Sequence, residues 1–304
     1  MKKFDFKKRI DRHTAKKIGY NVAISLFRYL FLLLVGYVIL YPLIFMVSNA
    51  IKSDADFLNV ARIWIPKYWN LDKFKEVWEI TNFNTALIQT LSVQIVSAFI
   101  EVVMCSFAGY GLARYNFKLK KIESILLILL LLVPVQMYSL SLSVTYRELG
   151  IFDTPFVSYL PSLFGVGVRG GMIIFVYRQF YEGLPKELEE AAFVDGAGPL
   201  KTYFKIALPS SGVVILTVSV LSFIWHWNEN YIADLCMMSD NRPLASVMAS
   251  LPYHLKMLGT FPERPDYAAY VSVACILFIV IPMVLYMIFQ RKFVRSIDRV
   301  GITG

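Results

Sequence analysis

The stretch FRYLFLLLVGYVILYPLIFMV, residues 27–47, is 21 residues long and contains one charged side chain, Arg28. A helix that rises 1.5 Å per residue needs about 20 apolar residues to cross about 30 Å of hydrocarbon. The stretch therefore predicts a membrane-spanning helix. It is too long for the apolar region of a cleavable signal peptide and lacks a small-residue cleavage site, so we expect it to remain as an anchor.

Five further apolar runs of similar length follow. The six runs cover residues 27–47, 86–112, 122–144, 157–177, 212–231 and 267–289. The composition agrees, because 57% of the 304 residues are hydrophobic and 17% are charged, whereas soluble domains average about a quarter charged residues. The sequence predicts an all-α membrane protein with six transmembrane helices and argues against a soluble or a disordered chain.

Lysine and arginine are unevenly distributed between the two sets of connections. Twenty of them lie in residues 1–26, 113–121, 178–209 and 290–304, and nine lie in the alternate connections. By the positive-inside rule both termini are predicted to be cytoplasmic. The domain organisation that follows is a basic cytoplasmic segment (1–26), a six-span domain (27–289) and a cytoplasmic tail (290–304). The net charge of +9 then reflects topology, and no nucleic-acid partner is expected.

One cytoplasmic connection, residues 178–209, is longer than packed helices usually need. Pro185 suits a first helical position, residues 186–194 are good helix formers, and Gly196 can take a positive φ at a helix end. A second helix can begin at Pro199. The loop is therefore predicted to be two short helices hinged at residues 196–198, with an apolar stripe on the second helix made of Leu200, Tyr203, Phe204 and Ala207.

Two interpretations of this loop remain open on spacing alone. Ala191 and Ala192 form a face without bulk, and glutamates surround it. Such a face suits a helix that docks in the groove of a partner protein. An amphipathic helix lying on the membrane surface has a similar pattern.

The loop carries a spaced motif: Glu190-Ala191-Ala192, three residues, Gly196, nine residues, Ile206, one residue, Leu208-Pro209. This motif resembles the cytoplasmic loop signature of ABC-importer permease subunits. The resemblance implies a coupling loop before the fifth span that docks in a cleft of an ATPase subunit. The residues to which it assigns this coupling are Glu187, Glu190, Ala191, Ala192, Asp195, Gly196, Ile206, Leu208 and Pro209.

Other segments in the same order extend the resemblance over nearly the whole chain. They are IP at 65–66, LDKF at 71–74, AGYGLAR at 108–114, LGIFDT at 149–154, LPKELEE at 184–190 and WN at 227–228. Together they resemble the second membrane subunit of maltose-type carbohydrate importers. This implies a permease that forms half of the pathway for a carbohydrate, with an oligosaccharide favoured, in the bacterial cytoplasmic membrane. The implied partners are a homologous second permease, two ATPase subunits that carry ATP and Mg, an extracytoplasmic solute-binding protein and membrane lipid.

Catalytic motifs are absent from the sequence. It has no Gly-rich phosphate loop, no His-Glu-x-x-His and no Gly-x-Ser-x-Gly. The three histidines, His13, His226 and His254, are scattered, so no metal site is predicted. We expect a transport subunit that is not an enzyme, that binds no cofactor itself and that takes energy from a separate ATPase subunit or from an ion gradient.

Four residues in or beside the apolar runs are candidates for a substrate pathway. Arg169 lies within the fourth run, where a charge costs about 2.5 to 3.5 kcal/mol, and Glu101 of the second run is a candidate partner. This pair suits either a pathway or a buried contact that fixes helix register. Trp227 and Asn228 close the fifth run, where an aromatic face beside an amide suits a sugar and also suits the interfacial aromatic belt.

Other features of the sequence bear on function. The glycines around residues 165–171 predict a helix break at the depth of Arg169. Of the cysteines, Cys105 and Cys275 lie in apolar runs, which leaves Cys236 as the one expected to be exposed.

Two alternative functions remain. The first is an ABC-importer permease for a solute other than a sugar, because the loop motif reports the ATPase and not the cargo. The second is a secondary transporter driven by an ion gradient, which would have paired intramembrane carboxylates and an internal repeat. The chain has one clear intramembrane carboxylate and no persuasive repeat.

Overall fold

The computed structural model describes residues 12–59, 61–238, 242–257 and 266–301. Within these residues the regular elements are helices, and the only β feature is an isolated bridge between Lys52 and Trp69. The predicted all-α class is confirmed.

Thirteen helices longer than a single turn follow in chain order through the described residues. They are α1 (Arg12–Ala50), α2 (Asp72–Ile80), α3 (Phe83–Arg114), α4 (Lys120–Leu132), α5 (Ser139–Glu148), α6 (Phe156–Leu163), α7 (Gly170–Gly183), α8 (Glu187–Val194), α9 (Pro199–Ser210), α10 (Gly212–Trp227), α11 (Tyr231–Cys236), α12 (Leu244–Met257) and α13 (Tyr267–Gly301). Single turns lie at Asp54–Phe57 and Val135–Met137. Two π-helical turns interrupt α3 at Thr90–Ile95 and α9 at Tyr203–Ala207.

Three helices in the described residues are long and apolar enough to cross a membrane: Tyr20–Ala50 of α1, all of α3, and Tyr267–Gln290 of α13. The pair α9 and α10, bent by 78° at its break, would make a fourth if it counts as one span. The expected boundaries at residues 26 and 289 fall inside α1 and α13. Residues 1–11 and 302–304, which belong to the expected terminal segments, lie outside the described residues.

The remaining predicted runs are not continuous helices. The run at 122–144 is broken where Val133 turns to an extended conformation before Pro134, because proline excludes the helical conformation from the residue that precedes it. The run at 157–177 is broken between α6 and α7, where Gly165 has a φ of +68° and Arg169 a φ of +61°. The run at 212–231 is helical only as far as Trp227, where α10 ends.

Helix α3 lies at the centre of the packing and contacts α6, α7 and α10. Its closest crossing is with α7 at Gly109, where an added Cβ would lie 2.7 Å from Tyr177 Cβ and 3.0 Å from the Arg178 amide nitrogen. A side chain cannot fit at that distance, so glycine allows the two backbones to approach. A buried group that we call the tyrosine cluster, Tyr110, Tyr177, Tyr181 and Tyr203, packs beside this crossing.

A second core, the Trp227 cluster, joins the opposite end of α3 to α2, α10, α12 and α13. Its largest buried members are Trp227, Tyr270, Leu244 and Leu251. Together, the two clusters give α3 a packed partner at each end. The helix therefore connects the tyrosine cluster to the Trp227 cluster.

The connection between α1 and α2 is a small cap organised by one buried carboxylate. Asp56 is 1% exposed and accepts hydrogen bonds from the Arg62 guanidinium at 2.7 Å and from the Lys67 and Tyr68 amides at 3.1 Å. Burial alone would raise its pKa, but the hydrogen bonds from Tyr68, Arg62 and the other donors outweigh it and lower the pKa of Asp56 to about 2. The carboxylate therefore stays charged and fixes the cap.

We expect Gly109→Ala to destabilise the protein, because the new methyl group would overlap Tyr177 at the crossing of α3 and α7. Overpacking of this kind costs about 1 to 3 kcal/mol. The measurement is the thermal unfolding midpoint of the purified full chain in detergent. Gly111→Ala is the matched control, since a Cβ there meets nothing within 4 Å; equal midpoints for the two variants would contradict the tight crossing.

Candidate functional site

The first helix of the 178–209 loop is closed by a Schellman motif. Helix α8 has Glu187, Glu189 and Glu190 in its first turn, where negative charge is favoured by the helix dipole. At its other end the Gly196 amide donates to Phe193 O at 3.0 Å and the Ala197 amide donates to Ala192 O at 2.9 Å. Gly196 takes a φ of +77°, which glycine adopts without strain. The predicted helix and its stop are confirmed, but the helix begins at Glu187, so Pro185 precedes its first helical position.

One face of α8 and the hinge after it carry most of the first part of the motif. Glu187, Glu190, Ala191, Asp195 and Gly196 are exposed, and Ala192 is half-buried. Large apolar side chains surround this face without cover from the described part of the chain: Leu188, Phe193, Val194, Leu200 and Phe204. Val194 is 87% exposed. Uncovered apolar groups of this kind mark an interaction surface.

The second part of the motif packs inward more than the first. Ile206 and Leu208 are half-buried, Leu208 packs against the core that contains the tyrosine cluster, and Pro209 is exposed. The predicted apolar stripe is wrong as a single face: Tyr203 and Ala207 are buried, whereas Leu200 and Phe204 are each 59% exposed. Residues four apart on α9 still share an environment, but the two pairs differ, because Tyr203 and Ala207 belong to the buried core whereas Leu200 and Phe204 do not.

Glu101 lies in the middle of α3, completely buried, with Oε2 3.4 Å from His226 Nε2 of α10. The other ring nitrogen, His226 Nδ1, lies 3.0 Å from Ser222 O. A carbonyl oxygen only accepts, so Nδ1 carries a proton. The contact between Glu101 and Nε2 is then favourable when one proton lies between them, either on the acid or on the imidazole.

The break between α6 and α7 is shaped around this carboxylate. A Cβ on Gly167 would lie 2.6 Å from Glu101 Oε1, and one on Gly170 would lie 2.8 Å from the same atom and 2.1 Å from Gly165 O. No side chain fits at either position. The glycines predicted to break the helix therefore allow the backbone to close over the carboxylate.

Arg169 is not the partner of Glu101. Among the described residues Glu101 faces His226, with Oε2 3.4 Å from Nε2, and Arg169 has its guanidinium carbon 5.5 Å from the centre of the Trp225 ring. Arg169 is exposed on the surface of this chain. Glu101 is fully buried and faces His226, so the pairing with Arg169 suggested by the sequence is wrong.

Asn228 and Trp227 have different surroundings although they are adjacent. Asn228 ends α10 and is exposed, and it lines a cavity of about 270 Å³ between the end of α10, α12 and α13. Trp227 is fully buried and packs on Phe223 and Phe278, with ring centres 5.8 and 5.6 Å away. Only Asn228 of the two is placed to contact a solute in the cavity.

Several residues matter to these sites that the sequence did not single out. His226 was one of three scattered histidines, and Glu189 was one of three neighbouring glutamates. Glu189 is buried and paired with Arg114. The exposure of two cysteines is the reverse of that expected from the sequence. Cys236 is buried beside Tyr146, whereas Cys275 is exposed and lines the cavity. Only long-range packing distinguishes these residues, and no local pattern reports it.

Residues 102–299 match the family model described as the binding-protein-dependent transport system inner membrane component. The chain belongs to this family. The match covers the spaced motif of the 178–209 loop, the break before α7 and the end of α10. The chain is thus a transport permease subunit of ABC importers and not an enzyme.

Related proteins include permeases of sugar importers. The chain is 28% identical over 281 residues to the probable ABC transporter permease protein YurM of Bacillus subtilis, a match that covers 92% of this chain and 88% of YurM. It is 25% identical over 265 residues to the melibiose/raffinose/stachyose import permease protein MelC of the same organism, covering 86% and 91%.

A solved structure shares the fold. A chain of a bacterial ABC transporter involved in the import of the acidic polysaccharide alginate superimposes with a TM-score of 0.69. The match covers 95% of this chain and 99% of that chain, at 19% sequence identity.

We expect Glu101→Leu to destabilise the permease, because it removes the carboxyl group that faces the buried His226 Nε2 at 3.4 Å and places an alkyl group against that nitrogen. An unpaired buried polar group costs about 1 to 3 kcal/mol. Glu101→Gln is the matched control, since its amide can donate to Nε2 and keeps the size of the side chain. The measurement is the thermal unfolding midpoint in detergent; a Leu variant as stable as the Gln variant would exclude the proton-sharing contact.

Proposed function

We propose that this chain forms half of the membrane pathway of an ATP-driven importer for a carbohydrate, with an oligosaccharide favoured. A homologous second permease supplies the other half, and an extracytoplasmic solute-binding protein delivers the sugar. Two ATPase subunits bind ATP and Mg and drive the transport cycle, and this chain binds no cofactor of its own. The exposed motif face of α8 is the observation that carries the proposal.

The proposed topology has six crossings in the bacterial cytoplasmic membrane, with both termini in the cytoplasm. Helices α1, α3 and α13 cross as continuous helices. The pairs α4 with α5 and α6 with α7, together with α10, supply the three others, with breaks where irregular backbone lies inside protein. This arrangement puts α8 and α9 on the cytoplasmic side, in agreement with the distribution of lysine and arginine.

The α8 face has the properties of a docking surface for a soluble subunit. It combines small side chains at Ala191 and Ala192 with exposed apolar groups such as Val194. An amphipathic helix on the membrane surface would direct its apolar side chains to lipid on one side. Here the exposed apolar groups extend from α8 across the hinge to Leu200 of α9, so a groove in a partner protein covers them better.

Arg169 and Asn228 are the proposed pathway residues of this half. An arginine exposed within an apolar segment cannot face lipid cheaply, so Arg169 faces water in a pathway shared with the second permease. Asn228 supplies an amide to the cavity beside α12 and α13, and an amide suits a sugar hydroxyl. Trp227 is buried next to Asn228 and supports this wall of the cavity by packing. Glu101 affects the same wall through its contact with His226.

A permease for a solute other than a sugar is the competing function. The lining of the cavity is mainly apolar, with side chains such as Met248, Pro252 and Phe278, and this composition favours a less polar cargo. Membership of the permease family counts against a secondary transporter driven by an ion gradient. The substrate tests below discriminate the two cargo classes.

We expect Val194→Asp to release the ATPase from the complex, because a charge would replace an apolar contact in the docking groove. The measurement is the amount of phosphate-loop ATPase and second permease that co-purify with the tagged chain in mild detergent. Leu119→Asp is the matched control, since Leu119 is 61% exposed in the connection between α3 and α4, outside the loop. Recovery of the parent chain without any ATPase would refute the importer assignment.

We expect Asn228→Ala and Arg169→Met each to lower uptake of the preferred sugar by about tenfold while the complex still assembles. The loss of one hydrogen bond of about 1 to 1.5 kcal/mol gives a change of this size. The assay is uptake of labelled melibiose, raffinose and stachyose into cells that express the whole importer.

Asn84→Ala, an exposed asparagine outside the cavity, is the control for these variants. Unchanged uptake in both variants would remove these two residues from the pathway. Uptake of none of the sugars, in an importer that still couples to its ATPase, would favour the cargo that is not a sugar.

A further inference from the structure

The last two turns of α3 present three side chains to the 178–209 loop. Ser106, Tyr110 and Arg114 are spaced four residues apart, which places them on one face of a helix. Each of them contacts the loop or the end of α7 that leads into it. The contacts include an ion pair, hydrogen bonds and aromatic packing.

The ion pair joins α3 directly to the first loop helix. Arg114 Nε lies 2.9 Å from Glu189 Oε1, and Arg114 Nη2 donates to Leu184 O at 2.6 Å. The two side chains are 6% and 8% exposed. Glu189 therefore faces α3, whereas the neighbouring residues Glu190 and Ala191 face outward.

The second loop helix is attached to α3 by different chemistry. Ser106 Oγ lies 2.9 Å from Tyr181 Oη and 3.0 Å from Tyr203 Oη. The Tyr110 ring packs against both of these tyrosine rings, with centres 5.4 and 5.1 Å away. Helix α9 is thereby held through Tyr203, and the end of α7 through Tyr181.

These contacts have different tolerance to movement. Aromatic rings and hydroxyl groups can slide and exchange partners at small cost. A buried ion pair cannot, because separation leaves an uncompensated charge away from water. The pair between Arg114 and Glu189 is therefore the contact that holds α8 and α3 in one fixed relation.

Helix α3 extends from the ion pair with α8 into the interior of the protein. Glu101 lies thirteen residues before Arg114, about 20 Å along the helix axis, and contacts His226 of α10. Two residues after His226, Asn228 caps α10 at the wall of the cavity that also contains Cys275. The two buried contacts thus link the α8 face to the cavity through a single helix.

We propose that Arg114 and Glu189 are positioning residues that make α8 and α3 move as one body, so that a displacement of the α8 face reaches the cavity. This inference rests on the proposed function. It assigns to Glu189 a role different from that of the outward-facing residues of the motif, which contact the ATPase. Arg114 and Glu189 themselves contact neither ATP nor solute.

The test uses Cys275 as a native reporter in the assembled importer. The rate at which N-ethylmaleimide modifies Cys275 is measured with and without Mg-ATP, and Cys275→Ser gives the background. In the parent we expect ATP to change this rate. In Glu189→Gln and in Arg114→Gln we expect the ATP-dependent change to shrink by about fivefold or more, while the ATPase still co-purifies.

The double variant Arg114→Gln/Glu189→Gln should be no worse than either single variant, because the two residues act as a unit. Glu182→Gln is the matched control. It removes the more exposed ion pair with Arg178 at 2.8 Å, and we expect a response equal to that of the parent. If Glu189→Gln fails to fold, Arg114→Lys, which keeps the charge and loses the forked contact with Leu184, should give an intermediate response.

A full ATP response in Glu189→Gln, or additive losses in the double variant, would overturn the proposal and leave the proposed function standing. Loss of the ATPase from Glu189→Gln would also overturn it, because the pair would then belong to the docking surface. A parent importer that binds ATP without any change at Cys275 would also overturn the proposal, whereas the proposed function fails only if no ATPase co-purifies with the parent chain.

Discussion

The close crossing of α3 and α7 at Gly109 is the constraint on which the rest of the structure depends. With 2.7 Å between the position of a Cβ and Tyr177, the two backbones touch, and the side chains on each side must pack around that point. The tyrosine cluster fills one side and binds the loop. On the other side, the approach of the two helices brings the Gly165–Arg169 break against Glu101. One backbone contact therefore sets the geometry of both regions.

A polar group buried in an apolar segment accounts for the irregular backbone between α6 and α7. Glu101 is fully buried, and the neighbouring backbone closes over it where Gly167 and Gly170 leave no room for a side chain. In a regular helix the backbone amide and carbonyl groups of these residues would hydrogen-bond to one another, and the amides would not be available to the carboxylate. At the break these residues lose helical hydrogen bonds and lie close to Glu101. His226 of α10 also contacts this carboxyl group. The irregular backbone between α6 and α7 thus follows the position of the buried carboxyl group.

The sequence predicts well what depends on local pattern. The apolar lengths of α1, α3 and α13, the end of α8 at Gly196 and the start of α9 at Pro199 all depend on propensities of adjacent residues, and the structure agrees with each. It predicts poorly what depends on distant partners. Hydrophobicity alone does not reveal that Pro134 interrupts a run, and no local signal pairs Glu101 with His226 in place of Arg169. The apolar stripe of α9 failed for a related reason, since contacts with Ser106 and Tyr110 of α3 bury Tyr203 and leave its neighbour Phe204 exposed.

The exposed surfaces of this chain require three different environments. Most of α1 is exposed and apolar between Leu26 and Val47, which lipid can cover. Arg169 is exposed within an apolar segment, where lipid is the one neighbour that it cannot accept cheaply. The α8 face is exposed, apolar at Val194 and charged at Glu187 and Glu190, a mixture that fits a protein groove better than water or lipid. No single surrounding satisfies all three surfaces, which is the physical ground for the proposed assembly in which lipid, a second permease and a soluble subunit each cover one of them.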